Sequence, residues 1–124
     1  MRYVLEFDVD VLHWILAECH SDATARERIN AKLNQAMRYV AKYGPSVGLP
    51  HVRGIKGHHN LYEVRVEDET GWYRVFFGVG RPRSDGRTPI ALSYALVKHE
   101  RDIPDRIYGE AAAAVRAHLA EIDQ

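Results

Sequence analysis

The 124 residues carry 17 basic and 17 acidic side chains, a formal net charge of zero with histidines neutral, and 46% of them are hydrophobic against 27% charged. That balance suits one folded domain over residues 1–124, and it excludes a disordered chain and a uniformly basic nucleic-acid binder. No apolar run approaches the roughly 18 residues of a membrane span, the opening Met1 to Phe7 lacks a signal-peptide pattern, and the one cysteine, Cys19, cannot form an internal disulfide, so the expected compartment is the cytoplasm.

In chain order, Tyr3, Leu5 and Phe7 alternate with Arg2, Val4 and Glu6, which predicts a short strand. Asp8 or Asp10 can cap a first helix carrying Val11, Leu12, Ile15 and Leu16 up to about His20. Ser21 and Asp22 provide a second capping signal. The helix that starts there has its apolar side at Ala25, Ile29, Leu33, Ala36, Met37 and Val40, and Gly44-Pro45 stops it. Cys19 lies in this apolar neighbourhood, where inert packing is the expected role.

Residues 46–60 are rich in Gly, Pro and His without a clear period and read as an ordered loop or a short irregular strand. Leu61 to Val66 and Trp72 to Val79 flank the polar, glycine-ending EDETG, a hairpin signal, and a third strand-like run follows from Ile90 to Val97. After Pro104 the alanines with Ile107, Val115, Leu119 and Ile122 predict a terminal helix. The order β-α-α-β-β-β-α implies an α+β domain with a mostly antiparallel sheet of four main strands and the helical pair on one face.

Side-chain parity then separates two faces. Tyr62, Val64 and Val66 match Tyr73, Val75, Phe77 and Val79 as rows that pack under the helices. Arg65 and Arg74 are left to share the opposite face with Glu63, Trp72 and Phe76, a half-apolar surface expected to be partly covered. In the third strand Ala91, Ser93 and Ala95 read as one row of small residues, with His99 at the same parity and Lys98 opposite unless the chain has turned.

Two strand arginines, with Lys56 before them and Lys98 or His99 after, can cradle a phosphate, because phosphoryl chemistry needs preorganised positive charge more than a protein nucleophile. RNA supplies its own nucleophile in the 2′-hydroxyl. The alternative is a salt-bridged pair, with Glu63 as partner to either arginine. His58-His59 with nearby His51 invite a metal reading, but adjacent residues point apart and neither HExxH nor a cysteine-spaced pattern occurs, so no metal and no cofactor is expected. GxSxG, P-loop and dinucleotide fingerprints are also missing.

The segments YGPSVGLPHVRGIKGHHNLYEVRV, WYRVFF and LSYALVKHERDIP, followed by a helix, resemble the phage-derived HigB-like branch of the RelE toxin superfamily over about residues 44–106. The likeness rests on the order and spacing of a Gly-Pro turn, a Leu-Tyr-Glu-Leu-Arg-type strand, a Tyr-Arg-Val strand and a strand ending near a Lys-Lys pair. His99 stands at the second lysine of that pair, and Leu96 where the family usually has phenylalanine.

The resemblance implies a RelE-like fold and the toxin of a type II toxin–antitoxin system, which cuts messenger RNA in the ribosomal A site without metal and leaves a 2′,3′-cyclic phosphate or its hydrolysis product. It implies as partners the ribosome, mRNA and a cognate antitoxin, expected to be a small helix-turn-helix protein. It also implies catalytic positions at Lys56, Arg65, Arg74 and Lys98 or His99. Arg65 and Arg74 would stabilise charge on the phosphorane, Lys56 would bind phosphate or assist deprotonation, and Lys98 or His99 would protonate the leaving 5′-oxygen. Arg53, His58 and Tyr94 are candidates for RNA contact. Two other functions fit the residues: a catalytically weak binding module of the same fold or a phage-encoded regulator without RNase activity, and a small enzyme acting on a phosphorylated metabolite.

Overall fold

The computed structural model describes residues 3–123. It is an α+β fold in which three α-helices pack on a five-stranded mixed sheet of order β1-β5-β4-β3-β2. The strands are β1 (Tyr3–Phe7), β2 (Val52–Gly54), β3 (Tyr62–Asp68), β4 (Gly71–Val79) and β5 (Thr88–Lys98), and the helices are α1 (Val9–His13), α2 (Ala23–Tyr43) and α3 (Asp105–Ile122). β1 pairs with β5 in parallel, and every other pairing is antiparallel.

Local signals set the helical opening. Asp8 caps α1, its Oδ1 accepting from the Asp10 amide at 2.9 Å, and Asp22 caps α2, its Oδ2 accepting from the Ala25 amide at 2.8 Å. The first helix is shorter than its apolar period suggests, because it passes into one π-helical turn over Trp14–Glu18. Gly44 ends α2 with φ of +62°, where a side chain would be strained and a Cβ would run into the Tyr3 ring.

One core lies between α1, α2 and the sheet. Ile29, Leu33, Met37 and Val40 of α2, three and four residues apart, pack over Val64, Val66, Tyr73, Val75, Phe77, Ile90 and Leu92. Cys19 belongs to this core, 3% exposed, and burial pushes its thiol pKa up, which suits inert packing.

A smaller second core lies on the other face, where Ala111, Ala112 and Val115 of α3 meet Phe76, Leu61 and Ile55. Close approach depends on Gly78, since a Cβ there would meet the Val115 side chain and stand 2.9 Å from the Asn60 carbonyl oxygen.

Two expectations need correction. The sheet has a fifth strand, β2, inside the aperiodic 46–60 segment. Its partners lie about ten residues on, with Val52 opposite Val64 and Gly54 opposite Tyr62, so pairing rather than local pattern makes it a strand. The small-residue row of β5 is also broken. Phe76 pairs with Tyr94 and Phe77 with Leu92, leaving Ser93 as the extra residue of a bulge. Ser93 turns to α3 and bonds His118, whereas Ala95 packs in the α2 core.

Candidate active site

The bulge places the site. It resets the parity of β5, so that Lys98 lies opposite Trp72, on the face that carries Arg65 and Arg74. α3 covers one half of this face, over Phe76 and Gly78. The other half holds Glu63, Arg65 and Glu67 of β3, Trp72 and Arg74 of β4, and Leu96 and Lys98 of β5, with Arg53 of β2 opposite Glu63.

These charges form one network. The Glu63 carboxylate is 1% exposed, and its Oε1 lies 3.0 Å from Arg53 Nη2, 3.7 Å from Arg74 Nε and 3.9 Å from Arg65 Nε. Neither Glu63 oxygen has a hydrogen bond of good geometry, so three guanidinium groups hold this carboxylate by charge rather than by aligned donors. Glu67 Oε1 accepts from Arg74 Nη2 at 2.9 Å and from Arg65 Nη2 at 3.2 Å. The hydrogen bond from Arg74 lowers the Glu67 pKa most, and the nearby Arg65 lowers it further.

Four cations therefore meet two carboxylates, and the half-face keeps a positive excess although the chain as a whole is neutral. The cations differ in access. Arg74 is 2% exposed and also donates to the Tyr73 carbonyl at 3.1 Å, whereas the Arg65 and Arg53 side chains are 22% and 44% exposed. Lys98 Nζ donates to the Arg101 carbonyl at 2.8 Å and lies 5.4 Å from the centre of the Trp72 ring. Burial lowers the Lys98 pKa, and the neighbouring Arg74 adds to the shift.

The remaining candidates spread outward. His99 is exposed beside the β3–β4 turn, in a shallow pocket lined by Asp68, Glu69, Thr70, Gly71, Trp72 and Lys98 but by none of the arginines. Lys56 occupies an exposed turn after β2. Arg53 Nη2 reaches the Tyr108 hydroxyl at 3.4 Å, and His58 Nε2 stands 3.7 Å from Asp105 at the start of α3. Tyr94 donates its hydroxyl to Glu110 Oε2 at 2.9 Å, and burial followed by this bond raises its pKa. Among the described residues, no group of three or more His, Cys, Asp and Glu side chains is arranged to hold a metal ion.

Residues 23–107 match the family of phage-derived proteins like Gp49 (DUF891), a span that takes in α2 and the whole charged half-face. The chain belongs to the Gp49-like family. This family is associated with RelE-like toxins of toxin–antitoxin systems. Among curated proteins none matches the chain. Within this Gp49-like protein no helix of the described residues is long and apolar enough to cross a membrane.

Sequence reasoning did not single out Glu67, which it placed in the EDETG turn; β3 runs on to Asp68 and pairs Glu67 with Trp72, so Glu67, two residues after Arg65, shares that face. Glu63 was visible as a partner, but not its burial beneath three arginines. The side chosen by Lys98 depended on the bulge, which no local pattern announces.

Proposed function

We propose that this Gp49-like protein is a RelE/HigB-type toxin that cleaves ribosome-bound messenger RNA and is silenced by an antitoxin. The observation that carries the reading is that Arg53 and Arg65, paired to Glu63 and Glu67, share with Lys98 the half-face that α3 does not cover.

In this reading the RNA 2′-hydroxyl attacks the adjacent phosphorus and the 5′-oxygen leaves. Arg65 and Arg53 bind the non-bridging oxygens as negative charge grows on them. Lys98 gives the proton to the departing 5′-oxygen, a task for which its lowered pKa suits it better than an ordinary lysine. Lys56, on its exposed turn, contacts the phosphate backbone, and His58 and Tyr94 border the RNA path. Arg74, too buried to meet a phosphate directly, is a positioning residue that holds the carboxylates that orient Arg65.

The test is purified protein added to ribosomes programmed with a defined messenger. Cleavage within the A-site codon, leaving a 2′,3′-cyclic phosphate, supports the proposal. Intact messenger on ribosomes that the protein demonstrably binds would overturn it in favour of a second reading, a binding module without nuclease activity. That second reading draws on the burial of Arg74 and on the two carboxylates that offset half of the cationic charge.

A further inference from the structure

One side of α2 takes no part in either core. Lys32, Gln35, Tyr39 and Tyr43, three or four residues apart and all exposed, form a single stripe along the helix. Across from it stands the turn before β2, with Leu49, Pro50 and His51, where the His51 carbonyl accepts from the Arg65 amide at 2.8 Å. Between stripe and turn runs a groove made of two cavities, of about 510 and 300 Å3, that meet at His51. Arg65 lines the larger cavity and also belongs to the charged half-face, so the groove is continuous with that site.

The lining is aromatic and cationic. Of the six large hydrophobic side chains that stand exposed among the described residues, three, Tyr39, Tyr43 and Leu49, lie here, and apolar groups gathered at one place on a surface mark a binding site. The Tyr39 and His51 rings lie 5.2 Å apart between centres, and Lys42 Nζ stands 5.3 Å from the centre of the Tyr43 ring. Lys32 and Arg65 add positive charge. The one carboxylate that lines the groove, Glu67, is already held by Arg65 and Arg74.

We infer that this groove is a track for single-stranded RNA, whose bases stack on His51, Tyr39 and Tyr43 while the adjoining phosphate lies at Arg65. Such a ligand needs flat π surfaces that accept any base, with cations for the backbone between them. A phosphate alone would use the cations but not the rings, and an apolar peptide the rings but not the cations. Lys98 lies outside the groove, so the track holds nucleotides that flank the bond to be broken rather than the bond itself. The identity of the ligand rests on the RNA-cleaving reading above.

The experiment is a fluorescence-anisotropy titration of the whole chain with a 2′-O-methyl RNA strand of about eight nucleotides, which has no free 2′-hydroxyl to react, and with the same backbone made abasic. The intact strand should bind about tenfold more tightly than the abasic one. Tyr39→Ala combined with His51→Ala should remove most of that difference, Tyr39→Phe should keep it, and Arg65→Ala should weaken both strands alike, with thermal melts showing each variant folded. Equal affinity for the two strands, binding of neither at millimolar concentration, or a base preference untouched in the folded double variant would each overturn the track. The nuclease reading fails separately. Cleavage of messenger on ribosomes by a protein indifferent to base removal leaves that reading without the track, and base-dependent binding without cleavage leaves the track without the nuclease.

Discussion

Arg65 and Arg74 stand directly opposite one another on β3 and β4, and the Glu67 carboxylate that both grip occupies the next same-face position along β3. Like charges directly opposite across a ladder repel. Here Glu63 and Glu67 flank Arg65 on the same strand and face and pair with both arginines, so the two carboxylates offset that repulsion.

The two arginines should be separable by mutation. Arg65→Ala removes a more exposed guanidinium and should lower messenger cleavage by about 10²-fold at a smaller cost in thermal stability than Arg74→Ala. Arg74→Ala removes a cation from beside a buried carboxylate and should cost about 3 kcal/mol of stability as well as activity. Arg74→Lys should recover only part of either, since an ammonium cannot span Glu63 and Glu67 as a planar guanidinium does. Toxicity assays beside thermal melts decide the matter, and full toxicity in both alanine variants would remove the proposed site.

Lys98 and His99 compete for the role of general acid, and the structure puts only Lys98 on the arginine face. Lys98→Arg keeps the charge but holds its proton too tightly, so single-turnover cleavage should fall by about 10² with ribosome binding unchanged. His99→Ala should stay within a few-fold of the native rate. The reverse pattern would transfer the role to His99.

Asp68 predicts acid sensitivity. Burial opposes its ionisation, but hydrogen bonds from Thr70 and Arg28 together outweigh that effect, and its pKa falls below the ordinary value of 3.8. A carboxyl with a depressed folded-state pKa adds stability that is present above its unfolded pKa and is lost as pH falls through the folded value. Denaturant unfolding should therefore show Asp68→Asn less stable than the native chain at neutral pH, with the gap narrowing as the pH falls below the ordinary carboxyl value of 3.8. A gap that does not narrow in acid would assign the effect to hydrogen bonding alone.

If cleavage is metal-independent, protein stripped with a chelator and then desalted should cut at the native rate when mixed with magnesium-containing ribosomes. Added zinc or manganese that raises the rate of the stripped protein on the same ribosomes would contradict this.

Periodicity and capping residues suffice to read most of the fold from the sequence, because those signals act within a few residues. Asp8 and Asp22 mark helix starts, the α2 stripe names its own buried side, and alternation along β3 and β4 puts Arg65 and Arg74 on one face. The order of motifs over about residues 44–106 pointed to RelE-like toxins, with which the Gp49-like family matched over residues 23–107 is associated.

What only the tertiary structure decided depends on neighbours distant in the chain. β2 is a strand because β3 offers it hydrogen-bond partners, and the bulge at Ser93 arises from the register of β4 against β5. That one-residue offset turned Lys98 onto the arginine face and Ser93 toward His118, 25 residues on. Glu63 became the buried hub of the site only because three strands each bring an arginine to it. A side chain's face is legible from local alternation, but its burial and its partners are set by which strands the folded chain lays side by side.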